Sequence, residues 1–428
     1  MTPETAIPQP SLWRNGRYLT WLISDTASGL AGALASFAIP LVVLIVTNNP
    51  VLAGVISAVS MVVQLITTII GGVLADRHDR IRLMILGSAI GMAIAVVFTV
   101  LALTGSLTFA TLLGLDILLS ARGGLLGGAS DAALKEIVPA DVMGRAQAAN
   151  QGRNAVLGLV GSPLGGVLLM VGSWLIGMAM VVSHLVGTVT AVMLRRGREV
   201  IPPERTSDQP PSLLREAKEG FAWLLRRPDL RVVLFASTIV NLGINLVMTT
   251  VIYALQQGGT SVAVIGAVDA VLGAAMLAGS IVAPMLVTRV GAGRLDILCL
   301  AVFTVITSVL TFARGPWVIA AILVLGFLLL PAANAGMMGY FMVAVPSELL
   351  GRANSAMAIL SMGAMPLAPL IAGIGLKWTG RAPTIIIGAG ICVVAVVVVL
   401  SSSAVRAIPA ESGWAEHAAR FERQPSAE

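Results

Sequence analysis

Charge is scarce in this chain. Only 11% of its 428 residues are Asp, Glu, Lys or Arg, and three are His. So thin a charge density excludes a water-solvated surface at this length. Cysteine is scarcer still. Cys299 and Cys392 both sit in apolar runs, where packing is expected rather than disulfide or metal chemistry. His78, His184 and His417 show no metal-ligand spacing, and no metal site or cofactor is expected. The chain has no phosphate loop and no Gly-x-Ser-x-Gly element, which speaks against a kinase or a membrane-embedded hydrolase. A formal charge of +6 is read as setting membrane orientation, not as a nucleic-acid footprint. No cleavable signal peptide is expected, because residues 1–17 are polar and the first apolar run is too long for an h-region.

What is abundant is apolar: 57% hydrophobic residues, 45 glycines and a mean hydropathy of +0.93. These residues fall in runs of roughly 20 or more, the length that spans a bilayer as a helix. Lipid offers no partner for backbone amides, so each run must satisfy its own. The expectation is an all-α polytopic protein in a lipid bilayer. Its spans are placed at about 18–47, 50–75, 83–104, 107–133, 146–169, 173–194, 231–257, 262–287, 295–313, 316–343, 354–376 and 384–403. Flanking them are tails at 1–17 and 404–428. A linker at 195–230 separates bundles at 18–194 and 231–403, and its later part reads as an amphipathic surface helix with Leu214, Ala217, Phe221 and Leu224 on one side.

Placement of basic residues gives a direction. With the N-terminus inside, the outer loops hold only Arg314, Lys377 and Arg381. Both termini are therefore expected in the cytoplasm, with the protein in a bacterial inner membrane.

The chain also repeats itself. "VPADVMGRAQAA" (Val138–Ala149) returns as "VPSELLGRANSA" (Val345–Ala356), each before the fifth span of a six-helix half. "GGVLADR" (Gly71–Arg77) is echoed by "APMLVTR" (Ala283–Arg289), with Thr288 at the aspartate's place. Two such halves around a mid-membrane site is an architecture of secondary transporters.

"GVLADRHDRIR" (Gly72–Arg82) resembles motif A of the major facilitator superfamily. "ARGGLLGG" (Ala121–Gly128) resembles its helix-four arginine motif, and "GLVGSPLGGVL" (Gly158–Leu168) its helix-five antiporter motif. "EGFAWLLRRPDLR" (Glu219–Arg231) is similar to a segment of the drug-exporter branch that includes macrolide and enterobactin exporters. The resemblance implies twelve helices in two pseudo-symmetric bundles. Export by alternating access driven by a proton gradient is expected, and the mostly apolar spans with few polar residues point to a lipophilic or amphipathic cargo, such as a drug, antibiotic or siderophore-like compound. A monomer is expected. An importer or a lysolipid-type flippase is the alternative on the same fold; a membrane-embedded enzyme is the alternative of another class.

Four residue groups follow. Gly72, Asp76, Arg77, Asp79 and Arg80 are expected to form a conformational latch: Gly72 admits a close helix approach, Asp79 suits a left-handed turn, and the arginines clamp acidic neighbours. Gly158, Gly161, Gly165 and Gly166, with Pro163, are expected to let a neighbouring backbone approach and to bend the fifth span. Ser162 intervenes where the family pattern has Gly-Pro.

Charge inside the spans carries the functional expectation, since each ionised group there costs on the order of 3 kcal/mol unless it meets a partner or a cavity. Asp25, Arg122 and Arg153 lie at similar depth along their helices, at about 1.5 Å per residue. Asp25 is therefore expected to pair with either arginine and to carry the coupling proton, with Arg122 modulating it. Asp116 is the next acid. Gln64, Asn154, Asn241, Asn245, Asp269, Asn334 and Tyr340 are the expected lining of a substrate cavity.

Overall fold

In a computed structural model the described residues are 12–139, 142–196, 221–346 and 363–422, with isolated positions between 347 and 362. Among them, eleven helices are long and apolar enough to cross a membrane. In chain order the helices are α1 (Gly16–Thr47), α2 (Pro50–Arg77), α3 (Arg80–Leu103), α4 (Phe109–Leu126), α5 (Gly128–Ile137), α6 (Met143–Val171) and α7 (Ser173–Arg195). After the linker come α8 (Pro228–Gln257), α9 (Val262–Arg289), α10 (Ala292–Leu310), α11 (Pro316–Ala344), α12 (Leu367–Trp378) and α13 (Arg381–Ser401). The short α14 (Ser403–Arg406) and α15 (Trp414–Glu422) close the chain. α4 and α5 together make one span. The expected eleventh span begins outside the described residues, and its described part is the shorter apolar α12.

Large apolar side chains face outward along these helices, among them Ile70, Val97, Val182, Ile281 and Val305. A water-soluble protein does not expose such surfaces helix after helix; lipid is their solvent. The chain is an integral membrane protein.

Local chemistry sets the helix ends. Thr108 and Thr111 form a reciprocal capping box at the start of α4, and Ser261 caps α9. Gly315 and Gly380 turn the chain at φ 83° and 85° before α11 and α13, a region where a side chain is strained. The expected span at 107–133 breaks at Gly127, where α4 passes into α5.

The chain divides into two compact units, 1–39 with 63–204 and 40–62 with 205–428. α1 is shared at Pro40, which has no amide donor for the helix ladder.

In the first unit α3 packs along α7. Gly177 gives way to Phe98 and Thr99, and Gly91 lies beneath His184 and Arg122. One end is filled by Tyr18, Trp21, Ala75, Ile81, Leu126 and Leu134. Backbone closeness between α2 and α4 depends on Gly71 and Gly124. A Cβ on Gly71 would strike the carbonyls of Gly124 and Leu125, and one on Gly124 would strike Thr67 Oγ1.

In the second unit α9 packs on α11 and α8 on α13. Gly279 lies against Leu328, and Gly243 against Gly388 and Cys392. The stretch expected as a C-terminal tail carries α14 and α15. Trp414 and Ala418 join a core with Leu224, Leu230, Leu234, Tyr340 and Val405. Of the expected amphipathic linker helix, Leu224 is fully buried and Phe221 packs beside it; Leu214 and Ala217 lie outside the described residues.

Candidate functional site: a polar cluster in the first unit

Asp25 on α1 and Arg153 on α6 form an ion pair, with side chains 17% and 13% exposed. Two further contacts hold the arginine, and a third backs one of them. Its Nη2 donates to Asn154 Oδ1 at 2.9 Å, its guanidinium lies 5.7 Å from the Trp21 ring centroid, and Tyr18 stacks on that indole. Trp21 Nε1 in turn donates to Ser130 O at 3.0 Å. Of the two expected partners for Asp25, Arg153 is the one that reaches it.

Arg122 points elsewhere. Its Nη1 donates to Gly87 O at 3.2 Å, and its Nε is buried without a hydrogen-bond partner. His184 packs beside it over Gly91, its Nδ1 also buried and unpartnered. Ser24 Oγ donates to Gly187 O at 2.9 Å, and Ser28 and Ser88 share a hydrogen bond of 3.2 Å. A cavity of about 60 Å³ opens among these groups. Asp131, below it, accepts from Asn150 Nδ2 at 3.3 Å.

The motif between α2 and α3 differs in detail from its expected build. Asp79 has φ −59°, so it is not in a left-handed turn. Its carboxylate instead caps α3, accepting from the amides of Ile81 and Arg82. Such a cap satisfies amides that the helix itself leaves open. Gly72 meets open space among the described residues, and the close approach falls on Gly71. Arg80 Nη1 donates to Glu136 Oε1 on α5 at 2.7 Å. Arg77 is exposed, and the Asp76 side chain lies outside the described residues. In the second-half echo, Thr288 bonds back to Pro284 O in its own helix.

Within α6, Gly161 and Gly165 take the close contacts expected of the glycine motif, against Ala33 and Phe37 of α1. Gly158 meets nothing within 4 Å among the described residues, so close packing is corrected away from it. Pro163 lies inside α6 without ending it.

The expected cavity residues differ in exposure. Gln64, Asn154 and Asn334 are exposed, whereas Asn241, Asn245 and Asp269 are half-buried, as is the acid Asp116. Asn245 Nδ2 donates to Asn241 O one turn back at 2.8 Å, a bond within α8. Tyr340 is fully buried, in a contact that was not expected from the sequence. Its hydroxyl donates to Asp229 Oδ2 at 2.5 Å and lies 3.0 Å from His417 Nδ1. Arg227 closes the set with two bonds to the Asp229 carboxylate and with stacking on Trp223 and Phe421. Burial pulls the Arg227 pKa down, but the Asp229 hydrogen bond and charge outweigh it, and the net shift is upward. The available signal was the one-sided spacing of Trp414, His417 and Phe421 in an otherwise polar tail.

These features define a polytopic α-helical membrane protein, with ionised side chains held among apolar helices. Residues 22–369 match the family profile described as Major Facilitator Superfamily. The chain belongs to that superfamily, whose members are secondary transporters and not enzymes. No curated protein matches it. Among solved structures it is similar to a bacterial homologue of the iron transporter ferroportin in an inward-facing state, at 16% identity and TM-score 0.68, covering 92% of this chain and all of that one. It is also similar to a variant of the nucleoside transporter NupG, at 13% identity and TM-score 0.65, covering 90% and 100%. A third is a bacterial metal transporter, at 15% identity and TM-score 0.62, covering 92% and 100%. At these identities the likeness is one of fold.

Proposed function

We propose that this chain is a proton-coupled exporter of lipophilic or amphipathic small molecules, akin to the drug-exporter branch of its superfamily. In this reading twelve spans form two pseudo-symmetric six-helix bundles in a bacterial inner membrane, with both termini in the cytoplasm. The α2–α3 motif, through Arg80 and Glu136, steadies one end of the first bundle in one of two alternating states.

The observation that carries the reading is the Asp25–Arg153 ion pair beside a small polar cavity. Two opposite charges in a mostly apolar bundle are held chiefly by each other. Protonating Asp25 removes one charge, frees Arg153, and changes the energy of the helix contact between α1 and α6. A conformational change that alters water access to Asp25 then exchanges protons in step with transport. Similar folds are named for iron, nucleoside and metal transport. For a metal cargo, three converging His, Cys, Asp or Glu ligands would be the usual donor set, and the described residues contain none. The mostly apolar spans suit a lipophilic cargo instead.

The test is transport by Asp25→Asn in inverted vesicles with an imposed pH gradient, alongside a growth-inhibition panel across diverse toxins. Arg153 loses its counter-charge in this variant, so uptake is normalised to the protein present, and gradient-driven uptake per molecule is expected to be abolished. Retained gradient-driven transport would remove Asp25 from the coupling role.

A further inference from the structure

The cavity of about 60 Å³ in the first unit is lined by Ser24, Asp25, Ser28, Ser88, Arg122 and Ser130, among others. Its charges are unevenly matched. Asp25 already has a counter-charge in Arg153. Arg122 forms no ion pair among the described residues; one carbonyl, Gly87 O, accepts from it, and its Nε is left buried without a partner. A guanidinium withdrawn from water without a counter-charge is strongly unfavourable, and its fork of donors favours a compact anion.

Neutral donors surround the same space. Ser130 Oγ is buried without a partner. Ser28 and Ser88 share a single hydrogen bond at 3.2 Å, so one of their two hydroxyl protons remains for another acceptor. The volume holds roughly two waters' worth of liquid, at about 30 Å³ each. That admits an ion of halide or carboxylate size and excludes a sugar acid.

We propose that this cavity binds a small monovalent anion, a halide ion or a carboxylate of formate size, with the Arg122 guanidinium as its counter-charge and the Ser28–Ser88 pair and Ser130 as its hydroxyl donors. This goes beyond the exporter reading, because the site is an equilibrium binding site that needs no gradient. The Asp25 carboxylate on the wall does not repel the ion outright, since Arg153 neutralises it.

The experiment follows the thermal unfolding midpoint of the purified full-length protein at constant ionic strength, with gluconate replaced stepwise by chloride or by formate. A saturable rise on the order of 2 °C over gluconate is expected. A rise with chloride alone assigns an inorganic ion, one with formate alone assigns a carboxylate, and one with both assigns the site to either. Arg122→Lys keeps a rise and Arg122→Gln abolishes it. No saturable rise with either anion overturns the proposal, and so does an equal rise in Arg122→Gln. If that variant cannot be purified, wild-type crystals soaked in bromide, or in formate where formate alone raised the midpoint, decide: density for the anion in the cavity supports the site, and its absence there overturns it. The measurement contains no transport step, so its failure is separate from failure of the exporter reading.

Discussion

The Tyr340 hydroxyl donates to Asp229 Oδ2 at 2.5 Å, joining the end of α11 to the start of α8, with both residues fully buried. Arg227 and His417 complete the group from the linker and the tail. A hydrogen bond to an ionised carboxylate contributes about 1.5–3 kcal/mol. Tyr340→Phe should therefore lower the unfolding midpoint while leaving monodispersity intact. The drop should shrink in an Asp229→Asn background, because the two residues act as one unit. Additive losses in the double variant would dissolve that pairing.

His417 gives the tail a pH dependence. Burial, its main cause, holds the His417 pKa below the ordinary 6.5, with the Arg420 and Arg227 charges adding and Asp229 opposing. The folded state thus binds fewer protons than the unfolded one between the lowered value and 6.5. Docking is fully stable above 6.5 and weakens as pH falls below it. Hydrogen exchange across Trp414–Glu422 should speed up between pH 7.5 and 5.5 beyond its intrinsic trend. His417→Gln should flatten that excess, and an unchanged excess would clear His417 of the role.

Breaking the Asp25–Arg153 pair from one side should cost more than removing it whole. Arg153→Gln leaves a largely buried carboxylate unmatched, a loss of about 3–5 kcal/mol. The double variant with Asp25→Asn should recover much of that. Unfolding midpoints of the two singles and the double supply the cycle. A double variant no better than Arg153→Gln would show that the pair is not energetically coupled.

The α6 glycines should separate cleanly. Gly161→Val and Gly165→Val push into Ala33 and Phe37 of α1, and overpacking of this kind costs about 1–3 kcal/mol. Gly158→Ala should be neutral or slightly stabilising, because Ala is the better helix former. Size-exclusion profiles and unfolding midpoints after extraction report the difference. Equal damage at all three positions would mean that the motif's glycines serve something other than packing on α1.

The spans were legible because a bilayer imposes length and hydropathy on each helix independently of its neighbours. The break at Gly127 was not, since two short helices in line carry the same apolar run as one long helix. Depth along the helices brought Asp25 level with both Arg122 and Arg153. The choice between them depends on rotation about the helix axes, which apolar residues on every face do not reveal. Tyr340 looked like a cavity residue because its partners, Asp229 and His417, lie far away in sequence. Asp79 was expected to solve a turn problem, whereas its short carboxylate answered two open amides at the start of α3.

The group built on Asp229 also orders events during synthesis. Arg227 and Asp229 leave the ribosome long before Trp414 and His417 follow. Until then a buried-type carboxylate has lost one of its covers, and the apolar face that will receive Trp414 stays open. A chain released before Trp414 would therefore keep that face bare, and the helix that carries Trp414 works as its closing seal.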